Sequence, residues 1–427
     1  MDVPLNSYTI GMIIVFAIGY TLITLEHLTK INKTTIALLM AIICWILQFA
    51  NYNAASTSHN LGFLETHIAH ISQVVFFLLG ALSIVELINV HQGFNIISDV
   101  IQVNSKRKLL WILGFITFFL SAVLDNLTTT IVMISLIKKL ISNREDRLII
   151  GGGIVIAANA GGAWTPIGDV TTTMLWIGGQ VTTGAILTSL LLPSLACFFA
   201  SFLIINFMLK GNIPNEKIAH YSNSEPLGNL IFFLGIACLI FVPIFKMLTG
   251  LPPFMGILFG LGVLWLVTDI VHSKDSNRDH LRVPHVLTKI DLTSVLFFFG
   301  ILLCVNALET AKLLQKLAHW LELHIGNLDV IATMIGVASA VIDNVPLVAA
   351  SMGMYSIEQY PQDSSFWLLV AFTAGTGGSM LIIGSAAGVV FMGLEKVDFF
   401  WYLKKISFPA AVGFFVGIGV YKLFEFA

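Results

Sequence analysis

Ser121-Ala-Val-Leu-Asp125-Asn126 sits inside an apolar stretch, 109–140, and Ser339-Ala-Val-Ile-Asp343-Asn344 sits inside another, 328–358. The same phrase, small and apolar residues ending in an acid and an amide, thus occurs twice at an offset of 218 residues. Other landmarks repeat around it in the same order. Val75-Phe-Phe-Leu-Leu-Gly80 resembles Val295-Leu-Phe-Phe-Phe-Gly300 at an offset of 220. Gly161-Gly162 followed by Gly168 matches Gly377-Gly378 followed by Gly384 at an offset of 216. A shared order with so little drift is hard to obtain by chance in apolar sequence, and it predicts a chain built from two related halves. Between the first two landmarks each half carries a stretch of helical period, Phe94 to Val103 and Leu313 to Leu323. Each is expected to lie along a membrane surface as an amphipathic arm.

The composition names the solvent. Of the 427 residues 57% are hydrophobic and 11% charged, where a soluble domain carries about 45–50% and about 25%. Mean hydropathy is +0.90. So few charges cannot cover a water-soluble particle of this size, so the chain is read as a polytopic all-α membrane protein. That excludes a soluble enzyme, a disordered chain and a secreted disulfide scaffold. A formal charge of −2 argues against a nucleic-acid partner, which would require a basic face. The four cysteines (Cys44, Cys197, Cys238, Cys304) stand singly in apolar runs, the pattern of small buried hydrophobes. The N-terminus lacks the basic segment of a cleavable signal, so the first span is expected to be retained.

Apolar runs long enough to cross a bilayer start near residues 8, 34, 68, 148, 184, 228, 254, 292, 365 and 407. The stretches 109–140 and 328–358 are each interrupted at the centre by Asp-Asn and read as re-entrant hairpins. With the N-terminus outside, 18 of the 22 basic residues fall in cytoplasmic segments, leaving Lys246, Lys312, Lys316 and Lys422 outside, as the positive-inside rule requires. Both flanks of the first hairpin are basic, whereas no Lys or Arg occurs from 317 to 395 around the second. The first hairpin therefore enters from the cytoplasm and the second from outside, which predicts two inverted-topology repeats. The domain reading is N-terminal scaffold spans 1–65, repeat 1 over 66–226 with hairpin 109–140 and broken helix 148–180, and repeat 2 over 227–427 with hairpin 328–358 and broken helix 365–392.

Inverted repeats with interrupted helices are the pattern of secondary transporters, whose sites lie where the helices break. The breaks are legible as Asn159-Ala-Gly161-Gly162-Ala-Trp-Thr-Pro166-Ile-Gly168-Asp169 and Ala374-Gly-Thr-Gly377-Gly378-Ser379. Few ionisable groups sit deep in the spans: Asp125, Asp169 and Asp343, with Glu86 nearer one end. Intramembrane carboxylates are costly and point to function. Asp125 and Asp343 also suit the N-cap of a second hairpin helix, a role compatible with ion binding. Asp169 has Ser385 as its repeat counterpart, so the repeat does not supply it with a matching structural role. Ser121 and Ser339 precede their aspartates by four residues and share a helix face with them. Thr128, Thr171 and Thr172 add hydroxyls, and Asn126, Asn159 and Asn344 add amides. Carboxylate, amide, hydroxyl and unwound carbonyl oxygens make a donor set for a hard cation, although Ser and Thr equally serve as glue between membrane helices. Desolvation and neighbouring negative charge favour the protonated form of a carboxylate, so proton and cation compete for the same oxygens. No phosphate-binding loop is present, since Gly151-Gly-Gly153 lacks the following Gly-Lys-Ser/Thr.

Three segments carry a family resemblance: Ser121 to Thr130, Ala158 to Thr172, and Ser339 to Pro346. They resemble the NhaD-type sodium/proton antiporters of the ion-transporter superfamily, and the likeness covers nearly the whole chain. It implies exchange of cytoplasmic Na⁺ or Li⁺ for external H⁺ in a cell membrane, the bacterial inner membrane. It implies no cofactor beyond the transported ions, with Na⁺ at Asp125, Asp169 and Asp343, and Glu86 tuning or relaying protons. It further implies a fold similar to the superfamily's dicarboxylate carriers, homodimers with a scaffold and a moving transport domain. Those carriers have Ser-Asn-Thr motifs at hairpin tips and helix breaks. Asp-Asn stands in these hairpins, and Gly-Asp169 and Gly-Ser385 in these breaks, a departure that favours cation exchange.

Two other classes compete. A sodium-coupled dicarboxylate or arsenite carrier on the same fold would need uncharged groups at the site, where three aspartates would repel an anion. An intramembrane aspartyl protease expects Gly-x-Gly-Asp, but Pro166-Ile-Gly-Asp169 departs from it, and a protease gives no reason for the repeat. The eleven histidines fall in loops or near span ends and suggest no metal centre.

Overall fold

The computed structural model describes residues 6–51, 57–100, 105–212, 227–272 and 276–425. Among these the chain is all-helical, apart from one isolated bridge between Ser105 and Asn212. The main helices of the first half are α1 (Ser7–Thr24), α2 (Lys33–Ala50), α3 (Thr57–Val90), α4 (Lys106–Leu124), α5 (Asn126–Leu140), α6 (Arg144–Gly162), α7 (Val170–Ile177) and α8 (Thr183–Met208). Those of the second are α9 (Gly228–Thr249), α10 (Pro253–His272), α11 (Leu292–Thr310), α12 (Leu313–Ile325), α13 (Leu328–Ala338), α14 (Asn344–Met354), α15 (Ser365–Gly377), α16 (Ala386–Glu395) and α17 (Ser407–Glu425). Among the described residues nine helices are long and apolar enough to cross a membrane. The protein is a polytopic membrane protein.

The expected starts and the helices agree within a few residues except at α3, although the runs near 148 and 365 are not among the nine, while α4, expected as a hairpin limb, is. Helix α3 begins at Thr57 and runs for 34 residues, or about 51 Å at 1.5 Å per residue, well beyond a hydrocarbon core of about 30 Å. Hydropathy marks where a helix enters lipid; the polar stretch before it contains no proline and simply continues the helix. The surface arms differ from each other. Helix α12 turns by 117° into α13, exposing Leu317, Trp320 and Leu323 while burying Leu314 and Ala318. Of the first expected arm only Asn95–Val100 is a described helix, and residues 101–103 lie outside the described residues, as do 213–226 before the expected boundary between the halves.

Each interrupted apolar stretch is a pair of helices. In the first, α4 passes into α5 through one residue, Asp125, at φ 95° and ψ 158°. In the second, α13 and α14 are joined by the wider turn 339–343. Each pair is strapped to the broken span that follows it, with matching contacts. Ser121 Oγ donates to Ala158 O at 2.6 Å, and Ser339 Oγ donates to Ala374 O at 2.8 Å. A methyl group at Gly161 would stand 2.1 Å from Phe118 O, and one at Gly377 would stand 2.0 Å from Gly336 O. Only glycine allows the two backbones to approach this closely.

The helices end at the expected glycine motifs, and Gly161 and Gly377 serve close approach as well. Gly161 and Gly162 lie in the last turn of α6, and Gly377 ends α15 with Gly378 as its cap. The unwound segments follow, at 163–169 and 378–385, with Pro166 and Gly168 inside the first. Their freed carbonyls are satisfied internally, as unwound backbone at membrane depth requires. Thr173 Oγ1 donates to Pro166 O at 2.9 Å, and Tyr402 Oη donates to Ser379 O at 2.9 Å.

The backbone at Asp125 lies in a region that is essentially restricted to glycine and costs about 1–3 kcal/mol for other residues. Asp125→Gly is therefore expected to unfold in detergent at a higher temperature than Asp125→Ala, by the equivalent of about 1–3 kcal/mol. Both variants lack the carboxylate, so equal midpoints would show that the turn is unstrained.

Candidate functional site

Helices α5, α7, α14 and α16 all begin at one cavity of about 60 Å³, lined by Asp125, Asn126, Asp169, Val170, Asp343, Asn344 and Ala386 together with apolar residues of α3 and α11. A helix start leaves backbone N–H groups without intrahelical partners, and side-chain oxygens supply them. Asp125 accepts from Thr128 N at 2.8 Å, and Asp169 from Thr171 N at 3.0 Å. Asp343 accepts from Val345 N at 3.4 Å, and Ser385 from Gly388 N at 3.2 Å. Capping was expected for Asp125 and Asp343. Asp169 is a cap as well, matching Ser385, because the unwound segment ahead of α7 exposes the same orphan donors. Its charge, and not a lack of structural role, is what distinguishes it from its repeat counterpart.

Asp169 is 1% exposed and is the hub of the cluster. Besides Thr171 N it accepts from Thr171 Oγ1 at 2.9 Å. From the first hairpin, Asn126 Nδ2 donates to Asp169 Oδ2 at 2.7 Å. From the second, Asn344 Nδ2 reaches the same carboxylate at 3.4 and 3.5 Å. Asn126 Nδ2 also donates to Asn159 Oδ1 at 3.0 Å. Asn159 in turn donates to Ser379 Oγ at 2.8 Å and Ser385 Oγ at 2.9 Å. One polar network thus ties both hairpin tips to both helix breaks. Asp125 and Asp343 lie close enough to Asp169 to act on it electrostatically.

The remaining sequence-selected residues divide into two groups. Thr128 Oγ1 donates to Asp125 Oδ2 at 2.8 Å and belongs to the cluster. Ser121 and Ser339 give their hydroxyls to backbone carbonyls of the broken spans, and Thr172 gives its own to Asp169 O at 2.9 Å. The two serines hold helices together, whereas Thr172 bonds within the first turn of its own helix. Glu86 lies one turn past Leu82, which lines the cavity, and accepts from Asn89 Nδ2 at 3.1 Å.

Sequence reasoning missed Lys33. Its ammonium stands 3.5 Å from Asp343 Oδ2 and 4.3 Å over the Phe297 ring. A count of loop charges absorbs it among the basic residues flanking a span. The available signal was its place at the first position of α2 after the Asn32 cap, where the helix dipole disfavours a cation. Ser379 was passed over within its glycine-rich motif, and Asp291 and Ser294 at the start of α11 also line the cavity.

Chemically the cluster offers carboxylate, amide and hydroxyl oxygens and space for an ion with a few waters. The amides of Asn126 and Asn344 direct their N–H groups at Asp169, leaving their carbonyl oxygens for another partner.

The profile of a family described as citrate transporter matches residues 20–375. Sodium/proton antiporter 2 of Arabidopsis thaliana is 51% identical over 417 residues, 96% of this chain and 98% of that protein. Sodium/proton antiporter 1 of the same plant is 52% identical over 415 residues, 96% of this chain and 72% of that protein. The Na⁺/H⁺ antiporter NhaD of Alkalimonas amylolytica is 30% identical over 444 residues, 94% of this chain and 88% of that protein. The chain belongs to the NhaD-type sodium/proton antiporter family and carries the citrate-transporter sequence profile over most of its length.

Proposed function

We propose that this protein exchanges cytoplasmic Na⁺ or Li⁺ for external H⁺ by alternating access, with Asp125, Asp169 and Asp343 as the shared ion and proton site. The observation that carries this reading is that three of the four helix starts at the hairpin turns and helix breaks around the cavity are capped by carboxylates, with a fourth carboxylate, Asp291, capping α11 at the cavity's edge. A cation needs their oxygens ionised, and a proton removes a ligand, so each displaces the other from one site. A site that changes sides loaded with one or the other performs exchange without ATP.

The orientation proposed has the N-terminus outside, as in a bacterial inner membrane, and the two halves inverted with respect to each other. The cavity is then nearest the cytoplasmic end of α11, where Asp291 caps the helix through Thr293 N and Ser294 N. A homodimer is proposed on the family resemblance, and Glu86, beside Asn89 at the cytoplasmic end of α3, is proposed to tune proton access. Carriage of a tricarboxylate, which the profile's description raises, is disfavoured. Small-molecule pockets are usually about 300–1,000 Å³, against about 60 Å³ here, and the cap carboxylates would repel an anion.

In sealed vesicles with an acidic interior, Na⁺ or Li⁺ added outside is expected to dissipate the proton gradient, reported by a proton-sensitive dye, while K⁺ and sodium-free succinate leave it in place. Sodium-dependent uptake of labelled succinate without cation-driven proton efflux would overturn the reading. Asp169→Asn is expected to lower exchange on the order of tenfold or more, the worth of a charge-assisted contact, with normal insertion and folding.

Lys33 supplies a second expectation. Its ammonium holds Asp343 while no transported cation is bound, so Na⁺ must displace it. Lys33→Met is expected to lower the half-saturating Na⁺ concentration by roughly two- to fivefold, from the ~0.2–1 kcal/mol of a part-exposed pair. An unchanged or higher value would show that the pair lies off the ion's route.

A further inference from the structure

A second cavity, of about 380 Å³, lies beyond the site, and the same helices line both. On α11 the lining runs Ser294, Phe298 at the first cavity and Leu302, Asn306, Glu309 at the second, spaced as one helix face. On α7, Thr173 faces the first and Met174 the second. On α14 the sequence is Val345 then Ala349, and on α3 it is Leu78 then Val74. The two cavities therefore lie end to end along one path, separated by the buried apolar side chains Val74, Met174 and Leu302.

The second cavity holds one carboxylate, Glu309, with the Asn306 amide one turn before it. Among the described residues no hydrogen bond or ion pair engages the Glu309 carboxylate. The other titratable groups of the lining are His67 and His70 on α3, and His67 Nε2 lies 3.2 Å from Thr310 Oγ1. Helices α7 and α14 contribute none. A recessed carboxylate without a protein partner is costly unless a cation or proton accompanies it. At an offset of 220, Asn306 and Glu309 correspond to Glu86 and Asn89, so each half carries one Glu and one Asn a turn apart, in reversed order, near opposite ends of the path.

We propose that Glu309, with Asn306, forms a second cation site at the outer mouth, which receives Na⁺ or Li⁺ from the aspartate cluster before release and binds it first on the return. This rests on the antiport reading above. The oxygen donors suit a hard monovalent cation, and the apolar layer between the cavities is the barrier such a cation crosses when the site changes sides.

The test compares the two faces. In everted vesicles from cells producing the full chain, added Na⁺ meets the Asp291 mouth; in right-side-out vesicles it meets the Glu309 mouth. Glu309→Gln is expected to raise the half-saturating Na⁺ concentration at the Glu309 face by roughly three- to tenfold, the loss of one charged ligand, and to leave the other face unchanged. Glu309→Asp, which keeps the charge but shortens the side chain, is expected to shift that face less than Glu309→Gln does. If Glu309→Gln does not reach the membrane folded, Asn306→Ala should shift the same face in the same direction. No shift at the outer face, or equal shifts at both faces, with wild-type exchange intact, would overturn the outer site alone. Absence of Na⁺/H⁺ exchange by the wild-type protein at both faces would overturn the antiport reading and the outer site with it.

Discussion

Four helices start at one point inside an apolar protein, and each start must find acceptors for its free N–H groups without bulk water. That constraint governs the centre of this molecule. In the unwound backbone there, a hydroxyl and an aromatic phenol satisfy the released carbonyls of Pro166 and Ser379, and N–H groups of the helix starts are satisfied by Asp125, Asp169, Asp343 and Ser385. The capping residues are therefore structural before they are anything else. Since the caps are acids in three places out of four, the same solution concentrates negative charge at the one location where four helices can present oxygen ligands together.

The glycine contacts follow from that arrangement. For two helix starts and a broken span to share a small volume, the hairpin backbone must lie almost against the broken helix, and Gly161 and Gly377 permit it. Ser121 and Ser339 then lock the approach with one hydrogen bond each. The polar network around Asp169 depends on this strapping, because Asn126 and Asn344 reach one carboxylate only if both hairpin tips are held at fixed depth.

Much of this was legible in the sequence because it is written in local pattern. Apolar run length fixes the spans, and Asp-Asn inside an apolar run marks a helix end as well as a polar site. The span limits failed at α3 because hydropathy reports transfer to lipid, while the backbone continues as helix through residues such as Thr66 and His67 that suit water. The close approach at Gly161 and Gly377 went unread for a related reason: a low helix propensity is indistinguishable in sequence from a need for close approach. Lys33 could not be paired with Asp343 from sequence, since 310 positions separate them and only the fold brings the start of α2 to the second hairpin tip. The hydroxyls of Ser121, Ser339 and Thr172 were legible as polar groups, but their choice of backbone carbonyls over the cavity is a matter of side-chain direction that spacing alone leaves open.

The charge balance explains how one architecture can carry a citrate-transporter profile and relatives named as cation antiporters. A helix N-terminus contributes about half a positive elementary charge, so four converging starts contribute roughly two, an environment suited to an anion. Here the protein supplies the anions itself. Three cap carboxylates, with Asp291 as a fourth at the cavity's edge, exceed the roughly two positive charges of the helix starts, and Lys33 beside Asp343 supplies one positive charge against that excess. Withdrawing that ammonium leaves an excess of negative charge that a Na⁺ or H⁺ would offset. On the function proposed above, acids at the cap positions turn an anion-binding geometry into one suited to a cation.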